Sequence, residues 1–114
     1  FGDTLGSLEV GKRADVLVIK GDRTKPYEAL IAAKLTDVEL VIAKGKALYG
    51  DPDYLTELAP NSYCESVTIC QAAKTLCVKE SESADNKLNQ SFTDIETALA
   101  TGYPGILSLS TGCP

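Results

Sequence analysis

Val16-Leu17-Val18-Ile19 is a run of four apolar residues, three of them β-branched, with Gly11 upstream and Gly21-Asp22 downstream. A short β-branched run bounded in this way reads as a buried strand, and Gly11 permits the turn that feeds it. The pattern recurs at Val38 to Ala43, which Lys44-Gly45 separates from Ala47-Leu48-Tyr49. Two apolar runs joined by a glycine-containing turn predict a β-hairpin. No apolar run approaches the roughly 20 residues that span a bilayer, and the first residues lack a basic-then-apolar signal pattern. The chain is therefore expected to be soluble. Methionine is absent, and the sequence reads as an excised or processed piece, with any export signal lying upstream.

Short helices punctuate these strands. Pro26 suits a first helical turn, and Tyr27, Leu30, Ile31 and Lys34 recur at intervals of three and four, which predicts a short amphipathic helix. Gly50-Asp51-Pro52 stops the hairpin, and Asp53 is placed to cap a helix running through Leu58 before Pro60. Further on, Ser91 or Thr93 is placed to cap a helix with Phe92, Ile95, Ala98 and Leu99 as its apolar stripe and Gly102 just past its end. Lys79 to Gln90 is polar and reads as a mobile loop. Ile106-Leu107-Ser108-Leu109 is a candidate edge strand.

All four cysteines, Cys64, Cys70, Cys77 and Cys113, fall in the second half. An even number gathered in one region suggests disulfides and an oxidising compartment, with buried free thiols in a cytosolic protein as the alternative. In Cys64-Glu65-Ser66-Val67-Thr68-Ile69-Cys70, residues 65, 67 and 69 share one face of a strand and the cysteines the other. Lys74 to Val78 has similar β character, and a bend around Gln71, Ala72 and Ala73 makes a second hairpin. Folding it about its midpoint sets Cys70 opposite Cys77, where Cα atoms lie about 4.5–5.5 Å apart, within disulfide range. Cys64 and Cys70 lie roughly 20 Å apart along an extended strand and cannot bridge there. Cys70–Cys77 is the preferred pair, and Cys64–Cys113 follows by elimination.

Composition narrows the chemistry. Hydrophobic residues make up 44% of the 114, enough for one core. The net charge of −5 leaves no basic face for phosphates or an anionic membrane. Histidine is absent, which removes the commonest transition-metal ligand and excludes Ser-His-Asp, Cys-His and HExxH chemistry.

The residues from Leu5 through Gly11-Lys12-Arg13-Ala14-Asp15 to Ile19 resemble the "LGSLxxGKxADLVVxD" signature that follows the catalytic barrel in metal-dependent amidohydrolases of the imidazolonepropionase, dihydroorotase and prolidase type. Val38-Glu39-Leu40-Val41-Ile42-Ala43-Lys44-Gly45-Lys46-Ala47-Leu48-Tyr49 is similar to the family's "VxxVxxxGKxVY" hairpin. The two halves occur in the family's order and cover roughly Leu5 to Asp51. The resemblance implies that this chain supplies the later strands of a composite β-sandwich flanking the barrel. The family's HxH pair, bridging Lys or Glu, two further His and catalytic Asp all precede the signature, so no catalytic, metal or cofactor-binding residue is carried over. The resemblance also implies a divalent metal, with zinc the expected ion, in the parent barrel and none in this fragment.

Other features have plain readings. Lys12 and Arg13 beside Asp15 fit a tight turn with solvated charges better than an anion site. Lys44 lacks the flanking motif of a carrier lysine. Asp51-Pro52-Asp53 and Glu80-Ser81-Glu82 lack the further oxygens of a calcium loop. The C-x5-C-x6-C spacing lacks zinc knuckles. Asn89-Gln90-Ser91 is a formal glycosylation sequon of a kind that arises often by chance.

The expectation is a mainly β chain with short helices (α+β), in which residues 1–59 form part of the amidohydrolase composite β-sandwich. Residues 60–114 form a Cys-containing extension, a hairpin plus a helix, packing on the same sheet. The expected role is structural and inactive alone, within a parent that hydrolyses amide or cyclic amide C–N bonds with metal-activated water. The expected partners are the parent's barrel and N-terminal strands, with self-association through the sheet edge a further possibility, and neither nucleic acid nor membrane. An exported or periplasmic location follows if the cysteines are oxidised, a cytoplasmic one if not. The alternative function is a small exported, disulfide-stapled binding module.

Overall fold

The structure is a computed structural model that describes residues 2–59, 63–80, 82 and 89–105. It is an α+β domain with one five-stranded antiparallel sheet and three helices. The strands are β1 (Val16–Ile19), β2 (Val38–Ala43), β3 (Lys46–Gly50), β4 (Glu65–Ile69) and β5 (Ala72–Leu76). The helices are α1 (Pro26–Ala32), α2 (Pro52–Leu58) and α3 (Phe92–Gly102). In space the strand order is β1-β2-β3-β5-β4, so the second hairpin continues the sheet begun by the first. The candidate strand at 106–109 and most of the loop read between Lys79 and Gln90 lie outside the described residues.

The β2–β3 hairpin turns on Lys44-Gly45, both at positive φ (53° and 77°), as the glycine-containing turn predicts. The β4–β5 hairpin turns on Cys70-Gln71, also both at positive φ (50° and 70°), although neither is glycine. Ile69 opposes Ala72 and Glu65 opposes Leu76, so this turn holds two residues, where the sequence suggested a longer bend.

Directly opposed residues share a face of the sheet. Val18, Leu40, Gly50, Thr75 and Ser66 form one such row across all five strands. On this face α2 lays Leu55, 1% exposed, into a core with Leu40, Ala47 and Cys77, bordered by Val18, Ile42, Ala59 and Cys64. Gly50 permits the approach, because a Cβ there would lie 2.4 Å from the Glu39 carbonyl oxygen and 2.8 Å from Leu55. The adjacent row on the other face is Leu17, Val41, Tyr49, Leu76 and Glu65. It is only partly covered, and Leu17 is 54% exposed.

Helix α2 begins two residues earlier than its sequence suggested: Asp51, in place of Asp53, is at the N-cap position, Pro52 opens the helix, and Asp53 lies within the first turn. The Asp51 carboxylate makes no cap hydrogen bond because it is turned toward Lys74. Lys74, 3% exposed, extends from β5 past the end of β3, donates to the Val38 carbonyl at 2.8 Å and pairs with Asp51. A buried ammonium is tolerated only with such partners. Helix α3 carries a capping box, in which the Ser91 hydroxyl accepts from the Asp94 amide and the Asp94 carboxylate accepts from the Ser91 amide, each at 3.0 Å.

Removing one partner of the Lys74 pair strands a buried charge, whereas removing both does not. Asp51→Ala is expected to cost about 2 kcal/mol or more in urea unfolding, and the Asp51→Ala/Lys74→Met double variant to recover most of that loss. A double variant as unstable as the sum of the two singles would contradict this account of the pair.

Candidate functional site

The two sequence stretches that resemble the amidohydrolase signature meet at one end of the sheet. The Asp15 carboxylate accepts the Lys44 backbone amide at 2.6 Å, and the Ala14 carbonyl accepts the Gly45 amide at 2.9 Å. The segment entering β1 thus caps the turn that joins β2 to β3. Arg13 holds the same carboxylate from the other side at 2.8 Å. That guanidinium contact first, and the Lys44 amide second, lower the Asp15 pKa below its usual value. Lys12 is paired with Glu9 at 3.3 Å and donates to Ser7 at 2.6 Å, so the basic pair of this turn is already engaged by neighbouring side chains.

Spacing explains this junction. Asp is a residue whose short carboxylate reaches nearby backbone N–H groups, and the antiparallel pairing of β1 with β2 carries residues 14 and 15 alongside the 44–45 turn. The Gly-Lys-Arg-Ala-Asp segment and the Lys-Gly-Lys turn are therefore two parts of one local structure. Both serve the backbone.

The cysteines depart from their expected pairing. Cys64 bonds Cys77, in place of both Cys70–Cys77 and Cys64–Cys113. The cause is the two-residue turn: with Glu65 opposite Leu76, the next pair outward is Cys64 and Cys77, whose Cα atoms lie 4.1 Å apart. Cys70 is itself a turn residue and so cannot face Cys77. Cys70 is also disulfide-bonded, and Cys113 lies outside the described residues.

Beside the Cys64–Cys77 bond is a cleft of about 360 Å³. Ala47, Leu48, Leu58, Ala59 and Cys77 give it an apolar lining, and Tyr63 stands at its wall with the Lys79 ammonium 5.3 Å from the ring centre. Its charged lining groups are engaged, Lys46 with Glu80 of the same lining and Lys79 with Glu82, which is not part of the lining, each at 3.0 Å. Hydrogen bonding to Glu82 raises the Lys79 pKa above its ordinary value. Such a lining offers little net charge to orient a ligand.

Two other residues matter that sequence reasoning missed. Glu65, on β4, accepts the Phe92 amide at 2.6 Å, the Thr93 amide at 3.3 Å and the Thr93 hydroxyl at 2.8 Å. It thereby fastens the first turn of α3 to the sheet, with its negative charge at the favourable end of the helix dipole. Tyr49 donates to the Leu35 carbonyl at 3.2 Å, and burial first, with the Asp51 charge second, raises its phenol pKa. Glu65 shares a face with Val67 and Ile69, so its inward placement is visible in the alternation; its partner is not.

Among the described residues no group of three His, Cys, Asp or Glu side chains is arranged to hold a metal ion, and no helix is long and apolar enough to cross a membrane. No family model, curated protein or solved structure matches the chain.

Because the folded Asp15 carboxylate has a lowered pKa, its contact with the hairpin turn contributes above the ordinary Asp pKa. That contribution is lost as pH falls through the depressed folded value. A pH titration of the Lys44 amide resonance is expected to show a transition with its midpoint below the usual carboxylate range. A midpoint at or above that range would contradict the contact.

Proposed function

We propose that this chain is a non-catalytic C-terminal segment of a metal-dependent amidohydrolase, supplying later strands of the small composite β-sandwich beside the catalytic barrel. In this reading the parent hydrolyses amide or cyclic amide C–N bonds with water activated by a divalent metal, zinc being the expected ion. The histidine ligands and the aspartate of that reaction belong to the barrel. Residues 1–59 carry the family part and residues 60–114 an extension of the same sheet.

The observation that carries the reading is the junction of Asp15 with the Lys44-Gly45 turn. It gives a shared physical reason for the two motif halves on which the resemblance rests. Incomplete burial adds support: Tyr27 and Ile31 on α1 are 81% and 86% exposed, and no residue of α1 is buried. A helix of seven residues with its apolar side in water lacks the packing that ordinarily stabilises helices. The partly covered Leu17–Val41–Tyr49 row would likewise face the second layer of a sandwich. The missing barrel and N-terminal strands are the proposed partners.

A second reading, a small exported binding module stapled by disulfides, is favoured by the Cys64–Cys77 bond. An exported or periplasmic location suits both readings. The distinguishing experiment is a hydrolysis assay on amides and cyclic amides with added zinc, run on this chain alone and on a longer product of the same gene. The account predicts no turnover by the chain alone and chelator-sensitive turnover by the longer protein. Metal-dependent turnover by the chain alone would overturn it.

A further inference from the structure

We infer that the Cys64–Cys77 disulfide is a redox latch that holds α3 on the sheet, and that a dithiol reductant releases the helix without dissolving the β1–β2–β3 core. The bond lies at the open end of the β4–β5 hairpin, one position beyond the Glu65–Leu76 pair that ends the ladder. A hairpin's terminal pair is where strands fray first, and a cross-link there suppresses the fraying.

What the bond immobilises is the attachment of α3. On the Cys64 side, Glu65 accepts the three hydrogen bonds from Phe92 and Thr93. On the Cys77 side, Lys79 sits over the Tyr63 ring and pairs with Glu82. The residue next to Cys64 thus carries the hydrogen bonds that fasten the first turn of α3. That helix buries none of its residues, and Ile95, Leu99 and Tyr103 are exposed, so packing does little to keep it docked once its first turn is freed. The β2–β3 hairpin, by contrast, is held by its own ladder, by Leu55 and by the Asp15 cap.

The exchange balances as an ordinary dithiol reaction. A reductant thiolate attacks the half-buried Cys64 sulfur, and Cys77 leaves as a thiolate and takes up a proton. The reductant's second thiol then displaces Cys64 as a thiol, and the reductant ends as a disulfide. Two electrons and two protons have moved to the two cysteines.

The test is hydrogen exchange read by mass spectrometry on the whole chain in native buffer, before and after dithiothreitol, with reduction of this bond established by peptide mapping. Amides of residues 92–102 are expected to exchange about tenfold faster or more after reduction, those of residues 38–50 to change little, and oxidised glutathione, added once the dithiothreitol is removed, to restore the original pattern. The Cys64→Ala/Cys77→Ala variant, which adds no polar group to the core around Cys77, is expected to show the fast α3 pattern with no reductant. Cys70→Ser, which removes the other disulfide, is expected to retain slow exchange in α3. Unchanged α3 exchange after confirmed reduction overturns the latch. So does equal loss of protection in residues 38–50, or a Cys64–Cys77 bond that dithiothreitol opens only in denaturant.

Discussion

The buried ammonium of Lys74 is the contact on which the domain's unity depends. It originates on β5, lies against the carbonyl of Val38 at the start of β2, and pairs with Asp51 where β3 gives way to α2. One cation thereby ties the later hairpin to the earlier one and to the helix that covers the core. Because a buried charge is costly unless its partners are all in place, it also penalises arrangements in which the two hairpins fold without each other. The diversion of Asp51 from its cap position is a local loss that this global constraint explains. Gly50 serves the same corner by letting β3 approach Glu39 and Leu55 at distances that a side chain would block.

The first half of the fold is legible in the sequence because its signals are local. Val16–Ile19 and Val38–Ala43 are strands by composition, and Lys44-Gly45 is a turn by chemistry. Pro26 opens a helix and Ser91 caps another, with Asp94 three residues on. The second hairpin was harder for a specific reason. Cys70-Gln71 occupies a turn that ordinarily calls for Asn or Gly, so nothing in the residue types fixed the loop length. A difference of a few residues in that loop moves the register and with it the cysteine partner. The Cys64–Cys77 pairing follows from the two-residue turn alone, once the turn is known. Lys74 and Glu65 were invisible as functional residues for another reason: each is a charge at an inward-facing strand position, and its partner lies 23 or more residues away in sequence.

The site divides in the same way. Asp15 and the Lys44-Gly45 turn stand out in the sequence as motif residues, and the structure gives them a backbone-capping role. The apolar surface of α1 and the exposed Leu17 are the parts that the proposed second layer would cover. In the proposed place beside a catalytic barrel, these histidine-free residues would have a structural role.

The most direct test of that place is the coding sequence upstream of Phe1 in the native gene. The account predicts an uninterrupted frame encoding a barrel with an HxH pair ahead of further His ligands and an Asp. A frame that opens at or near Phe1, with no such barrel before it, would contradict the central claim.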